Sequence, residues 1–417
     1  MIFPLNLYTF LNHPKHYLSD LQKKYGDPFP LSFPGVPTIW LTGQSELARA
    51  IFTAPVDSFM ASENNPVGAL LGPSGLIMQS GGAHLEMRKE FTPHFSKRNL
   101  LPMNSSIQAA FFDFYDSCPE EGFMSLQEFA FKTTLKTILK LLFPHLSILE
   151  LHEAEVLTED FLKNYSASFL FIPQWVPGTW KKFNRKKLAL DERFYEFYLS
   201  GKLLNSVGPL AVLENKTKNQ ILDHIRTFIV AGHETSATSL TWALYYLHAF
   251  PQIKERLKEE LSIHSQDSFI ETLFQSNYLD CIVNEALRLE PPVPFVTRKI
   301  INRNFQMGER LFKVGEEIGV SLTLLHQQPH IWEEAHLFNP DRFEKRRFSP
   351  YEFAAFGGGI RKCIGAELSL MEIKILLAHF LSSFDCQLLE GVVPISKVMQ
   401  ITVGPRKKIM VYFKKRS

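Results

Sequence analysis

Phe356-Gly357-Gly358-Gly359-Ile360-Arg361-Lys362-Cys363-Ile364-Gly365-Ala366 decides the reading of this chain. Three consecutive glycines make a tight turn open to left-handed backbone conformations. The turn leads into a cysteine, and helical periodicity starts directly after it, over residues 366–381. A cysteine at a helix N-terminus meets unpaired N–H groups and the positive end of the helix dipole, and both favour thiolate over thiol. Arg361 and Lys362 add positive charge alongside. For a lone cysteine the bland reading, a Gly-rich turn around a buried thiol, would be preferred. The order Phe-x-x-Gly-x-Arg-x-Cys-x-Gly, however, arises by chance on the order of once in ten thousand chains of this length. Such a loop has what thiolate ligation of a haem iron needs. It offers one exposed sulfur, small residues that let a flat macrocycle approach, and N–H donors that temper the charge on the sulfur.

Working outward, residues 221–250 can form one continuous helix of about 45 Å. Near its middle stands Ala231-Gly232-His233-Glu234-Thr235-Ser236. Gly232 removes a side chain, so that something flat can lie against the helix. Thr235 can bond back to the carbonyl of residue 231. A carboxylate beside a hydroxyl can relay protons; a plain polar stripe is the competing reading. Residues 235–253 lack Asp, Glu, Lys and Arg, but their Ser, Thr, Tyr, His248 and Pro251 fit a buried internal helix better than a membrane span.

Glu285-Ala286-Leu287-Arg288 sets opposite charges at i and i+3 on one helix face, which in isolation is most often a solvated pair of little energetic weight. His84 and Arg88, spaced i and i+4, also share a helix face, and a surface pair is again the bland reading. The run Lys181-Lys182-Phe183-Asn184-Arg185-Lys186-Lys187 follows an apolar, turn-rich stretch, residues 171–180. It reads as a solvated helix start, or as a membrane-surface contact in which Phe171 and Trp175 dip into lipid and the lysines meet anionic headgroups.

The 417 residues carry 45 Lys plus Arg against 43 Asp plus Glu, a formal net charge of +2. That balance argues against a dedicated nucleic-acid binder, which needs a large basic excess. Hydrophobic residues at 45% and charged residues at 21% describe a foldable globule, not a disordered chain. Cys118, Cys281, Cys363 and Cys386 are too scattered for a disulfide framework or a paired-cysteine zinc site, which points to a reducing compartment. Phe, at 36, is the unusual count and can serve both a large interior and the lining of an apolar cavity. Residues 1–11 are apolar but show no signal-peptide pattern and are too short to span a bilayer. No linker or repeat divides the chain, so residues 1–417 are expected to form one domain. Helical periodicity dominates: 16–25, 83–95, 125–143, 151–170, 188–199, 252–262 and 278–289 join the two helices above. Short strands are expected near 37–41, within 296–320, and at 401–403 and 409–413.

Taken together, the cysteine loop resembles the ligand signature of the cytochrome P450 superfamily, the haem-thiolate monooxygenases. Ala231–Thr235 is similar to that family's AGxET motif. Glu285–Arg288 followed by Pro291-Pro292 is similar to its ExxR motif, and Pro340-Asp341-Arg342-Phe343 to its PERF motif with Asp for Glu. His84–Arg88 resembles its HxxxR, and Arg298 matches its strand arginine. The resemblance spans residues 14–411 and implies a mainly α fold, a single helical domain with small β-sheets around a buried haem b. It implies Cys363 as the axial iron ligand, Phe356 near the sulfur, and Gly359, Gly365 and Ala231 beside the macrocycle. It also implies His84, Arg88, Arg298 and Arg361 at the haem propionates. Thr235 would be the catalytic hydroxyl, and Glu234 the acid that feeds protons inward. Glu285 would bond Arg288 and Arg342 as a structural lock. By family position the pocket walls would come from residues 59–80, 159–175 and 293–297, with Phe228, Ala231, Thr235 and the surroundings of Ile401.

The reaction implied is insertion of one oxygen atom from O2 into a small apolar substrate. Electrons would come from a separate ferredoxin or flavodoxin with its reductase. That acidic electron donor would dock on Lys97, Arg98, Arg346, Arg347, Arg361 and Lys362. Phe348-Ser349-Pro350-Tyr351-Glu352-Phe353 looks like soluble bacterial members that act on fatty acids or terpenoids. A cytoplasmic monomer is expected, with peripheral membrane contact as an option. A peroxide-driven peroxygenase or isomerase and a non-catalytic haem sensor stand as alternatives; Glu234-Thr235 argues against the first.

Overall fold

The long helix begins before its apolar pattern does. Thr217 and Gln220 form a capping box: the Thr217 hydroxyl accepts the Gln220 N–H, and Gln220 Oε1 accepts the Thr217 N–H at 2.9 Å. The helix therefore runs Lys218–Ala249, 32 residues, or about 48 Å at 1.5 Å per residue. In this computed structural model, which describes residues 5–62, 67–165, 169, 178–203, 208–263, 269–389 and 394–416, it is the central strut. From residue 221 to 244 every position is buried except Ala231, Gly232 and Thr235.

Two helices flank the strut. Leu126–Leu142, capped by Ser125, packs along one side. A Cβ on Gly232 would stand 2.9 Å from Ile138 of that helix. The missing side chain thus serves close helix–helix packing, and the expectation that it makes room for a flat ligand is corrected. On another side lies Ala366–Ser383, the helix that follows the cysteine loop. Ser236 donates to Ser369 across this contact at 3.0 Å. The contact therefore fixes where the cysteine loop stands relative to the strut.

Other expected helices lie close to their sequence-based positions, and three departures bear on the site. Thr179–Leu203 is twice the expected length because the basic run is itself helical. Met103–Ser117 was not anticipated, although Met103, Ile107, Ala110 and Phe111 bury one face at helical spacing. Ser45–Thr53, with Ala48, Ile51 and Phe52 inward, was also not anticipated. The strands form a five-stranded sheet in the order Phe29–Leu31, Ile39–Thr42, Glu317–Ser321, Phe295–Ile300, Phe59–Met60. Ile39–Thr42 and Glu317–Ser321 run parallel; the other pairs are antiparallel. A three-stranded sheet joins Glu121–Ser125, Met410–Lys415 and Phe384–Leu388.

At the junction of the three central helices Glu372 is fully buried. It bonds to Thr137 and Ser236, and one of its oxygens has no partner among the described residues. Burial pushes this carboxyl up to about 8, against an ordinary value of 4.5. The folded protein therefore holds a proton that the unfolded chain has lost, and stability falls as pH rises from about 4.5 to 8. Glu372→Gln, which mimics the protonated form, is expected to escape this loss of roughly 1 kcal/mol per pH unit. Melting curves of both proteins from pH 5 to 8 check it; a gap that does not change with pH would mean Glu372 is ionised throughout.

Candidate active site

The cysteine loop is closed by its own backbone. Gly357 N donates to Ala354 O at 2.7 Å, Lys362 N to Gly359 O at 3.1 Å, and Cys363 N to Phe356 O at 2.8 Å. Phe356 is half-buried and supplies that last acceptor. Gly359 has φ +64, and a Cβ there would stand 2.0 Å from the Phe52 carbonyl oxygen. The glycine is required by the Ser45–Thr53 helix beneath it, a reason the sequence did not show. Gly365 lies by the sulfur: a Cβ on it would stand 4.0 Å from Cys363 Sγ.

Cys363 is enclosed by protein, yet its own surface is open, so it faces a cavity inside the fold. Cys281 and Cys386 are buried, with burial pushing both thiols up to about 12, and Cys118 is half-buried. Burial also pushes the Cys363 thiol up; the Gly365 N–H, Arg88 and Lys362 pull it down without offsetting the burial. The expectation of a thiolate favoured by helix dipole and flanking charge is therefore corrected. The protein alone favours the thiol, and a coordinated metal is what deprotonates it. Arg361 is not among the charges on the sulfur, because its guanidinium reaches the other way. It donates to Ile77 O at 3.2 Å, Gln79 O at 2.5 Å and Ser80 Oγ at 3.1 Å.

Ala231 and Thr235 form a window in an otherwise buried stretch of the strut, and Gly232 between them is closed off by Ile138. Thr235 Oγ1 donates to Ala231 O at 2.7 Å, as the sequence suggests. Glu234, 1% exposed, turns to a neighbouring loop. Its Oε1 accepts Ile401 N at 3.3 Å, Thr402 N at 3.2 Å and Thr402 Oγ1 at 2.7 Å, while Oε2 has no partner among the described residues. Burial raises this carboxyl, and the bonds from residues 400–402 oppose the rise only in part. His233 points away, into the Leu126–Leu142 interface, where Nδ1 meets Thr134 Oγ1 at 2.9 Å.

A third group gathers at the rim. His84, 3% exposed, feels Arg361, Arg88 and Arg298, and burial together with those charges pushes it down to about 4. Burial and then Arg361 bring Arg298 down to about 9; burial and then Arg88 bring Arg361 down to about 10. None of these arginines has a carboxylate partner among the described residues. Three half-desolvated, mutually repelling guanidiniums beside a neutral histidine are a cost that only an anion at this place would offset.

Behind the loop, Glu285 accepts from Arg288 Nε at 2.7 Å and Nη2 at 2.8 Å and from Arg342 Nε at 3.0 Å. Asp341 of the same segment pairs outward with Arg256 at 2.8 Å. Of the expected walls, Val293, Pro294, Thr297 and Ile401 are half-buried. Phe228 instead packs against Phe91 and Phe95 as a core residue. Residues 63–66, 166–168 and 170–177, which carry part of the expected walls and the expected lipid-dipping Phe171 and Trp175, lie outside the described residues. Of the basic run, Lys181, Lys182 and Arg185 are exposed, and Lys186 pairs with Asp160 at 2.6 Å. No described helix is long and apolar enough to cross a membrane. Sequence reading missed Thr402, Glu372 and the Asp223/Arg226 pair; the last, at i and i+3 inside an apolar helix, was visible as an oddity.

A flat, dianionic, metal-bearing macrocycle fits these residues. Cys363 would ligate the metal, the open window at Ala231 and Thr235 would face it, and His84, Arg88, Arg298 and Arg361 would meet its carboxylates. Comparison with known proteins agrees. The family model "Cytochrome P450" matches residues 2–413. The chain is 26% identical over 387 residues to the Mycobacterium tuberculosis protein described as cytochrome P450 137, covering 87% of this chain and 77% of that one. It is 32% identical over 245 residues to the Arabidopsis thaliana protein LUTEIN DEFICIENT 5, covering 56% of this chain but only 41% of the plant protein. The retinoic-acid-bound cyanobacterial CYP120A1 shares the fold at a TM-score of 0.83, with 22% identity over 96% of this chain and 94% of that one. The chain belongs to the cytochrome P450 family, the haem-thiolate monooxygenases, whose cofactor is haem b.

Proposed function

We propose that this protein, folded as a single haem domain, is a monooxygenase that inserts one oxygen atom from O2 into a fatty-acid- or terpenoid-like substrate. The observation that carries this reading is the closed cysteine loop with its one open thiol, Cys363, near Arg88, Arg298 and Arg361, which have no carboxylate partner among the described residues. Haem, when bound, supplies electron transfer and oxygen activation.

The chain's own residues supply the rest. His84, Arg88, Arg298 and Arg361 hold the propionates. Thr235 Oγ1 stands at the window as a hydroxyl that can release its bond to Ala231 O and donate into the cavity. Glu234, held by residues 400–402, keeps its unpartnered Oε2 for a proton, and burial raises the pH range in which that proton stays. Phe228, Phe91 and Phe95 pack together as buried core beside the strut. Lys97, Arg98, Arg347 and Lys362 are exposed, and Arg346 shares its charge with Glu352. The patch supports docking of a separate acidic ferredoxin or flavodoxin.

Thr235→Ala is expected to leave haem binding intact and to divert electrons to peroxide. Product per electron pair should fall by an order of magnitude or more, toward the roughly 100-fold that a positioned proton group contributes. Simultaneous measurement of product, peroxide and electron consumption checks it; unchanged coupling removes Thr235 from the chemistry. The substrate is tested by a spectral-shift screen of fatty acids, terpenes and retinoic acid, the ligand that the similarly folded cyanobacterial protein holds. A screen without any shift, with no reductase-dependent turnover, would favour a sensor or carrier.

A further inference from the structure

We propose that Asp191, Arg226 and Asp223 form a positioning latch that holds one wall of the substrate cavity and sets how fast bulky ligands enter and leave. This rests on the haem-thiolate reading above. Arg226, 3% exposed, sits on the strut nine residues before Thr235, about 13.5 Å along the axis. Its guanidinium joins three pieces of chain. Nε donates to Leu70 O at 3.0 Å and Nη2 to Leu71 O at 3.5 Å. Nη2 also pairs with Asp223 on the strut, and Nη1 with Asp191 on the Thr179–Leu203 helix.

Asp223 completes the hold on the strap that starts at Leu70. Its Oδ2 accepts Ser74 N at 2.8 Å, and its carboxylate fills the space where a Gly72 side chain would stand. The far end of the same strap, residues 77–80, is held by Arg361 of the cysteine loop. Residues 70–80 therefore bridge the strut to the cysteine loop, and on the haem-thiolate reading they wall the cavity between them. Neither end can shift without breaking hydrogen bonds.

The two arms of the latch differ. Asp223 and the strap carbonyls tie Arg226 to its own surroundings. Asp191 reaches it from another helix, in the one ion pair that links Thr179–Leu203 to the strut among the described residues. The charges close on themselves: Arg226 and Lys187 stand against Asp191 and Asp223. Burial pushes Asp191 up and Lys187 down, while Arg226 pulls Asp191 back. Because Arg226 keeps Asp223 when Asp191 is neutralised, Asp191→Asn does not strand a buried charge, the usual reason such cuts unfold a protein. It releases the Thr179–Leu203 helix that braces the wall from outside, while Arg226 keeps its bonds to Asp223 and to the strap, so the wall loosens without losing its fold.

The test is stopped-flow binding of azoles to the haem-loaded full chain, with imidazole as the small probe and 4-phenylimidazole as the bulky one. Asp191→Asn is expected to raise both on- and off-rates of 4-phenylimidazole about tenfold, the effect of 1.36 kcal/mol on a barrier. Imidazole rates and the reduced-CO spectrum should stay as in the unaltered protein, and Asp191→Glu should restore slow exchange. Should Asp191→Asn fail to load haem, Arg226→Lys, which keeps the charge and loses the fork, gives the same comparison. Unchanged 4-phenylimidazole rates, or equal acceleration of both azoles, would overturn the latch. A histidine-type spectrum in the unaltered protein would instead overturn the haem-thiolate reading.

Discussion

Cys363→Ser should abolish the thiolate-type absorption of the reduced, CO-bound protein and lower turnover at least about 100-fold, some 2.7 kcal/mol in the barrier. The loop itself should survive the change. Its closure rests on backbone bonds from Gly357, Lys362 and Cys363 N–H groups, none of which involves the sulfur. Loss of the spectrum with an unchanged melting temperature of the haem-free protein would therefore report ligation and not folding. No other thiol can step in. Cys281 and Cys386 are buried in the core, and Cys118 lies at the end of the Met103–Ser117 helix, its Sγ donating to Phe114 O at 3.3 Å. A thiolate spectrum that persists in Cys363→Ser would show that the ligand had been misassigned.

The spectrum also bears on how the thiolate arises. The residues around Cys363 hold it as a thiol, because enclosure outweighs the Gly365 N–H, Arg88 and Lys362. At the rim, three guanidiniums wait without carboxylate partners for an anion.

Local sequence showed much of this and concealed the rest for physical reasons. The cysteine loop, the strut and the Glu285–Arg288 pair were legible because each packs its chemistry into a few neighbouring residues. What residues 356–365 could not reveal is which glycine faces what. Gly359 is tight against Phe52, more than 300 positions away in the chain, and such contacts leave no local trace. Gly232 was misread for the same reason, since Ile138 takes the space it vacates. The helix Met103–Ser117 carried a visible apolar face, and Thr217 and Gln220 a visible capping box; both signals were present and unread. Asp191 could not be paired with Arg226 from sequence, because only the fold brings the Thr179–Leu203 helix over the strut.

The largest stability effect is expected at Glu285. Its side chain is fully buried and takes four bonds: two from Arg288, one from Arg342 Nε, and one from Asn339 N at 2.9 Å. Arg288, equally buried, also donates to His326 O at 2.9 Å, Ala335 O at 2.8 Å and Leu337 O at 3.1 Å. The pair thus pins residues 326–342 to the Asn277–Leu289 helix. Glu285→Ala would leave a buried guanidinium uncompensated, at a cost of about 3–5 kcal/mol. At 2–4 °C per kcal/mol for a large domain, the melting temperature should fall by roughly 10 °C. Replacing both partners by apolar residues is often neutral for a buried ion pair. It should not be here, because Glu285→Leu with Arg288→Met would still leave His326 O and Ala335 O without their donor and Leu337 O with only Arg342 Nη2 at 3.5 Å. The double variant should therefore recover only part of the loss, and thermal unfolding with haem content measured in parallel distinguishes the cases. Full recovery would mean that the lock matters only as a charge pair; a Glu285→Ala protein within 1 kcal/mol of the unaltered one would mean it carries little stability at all.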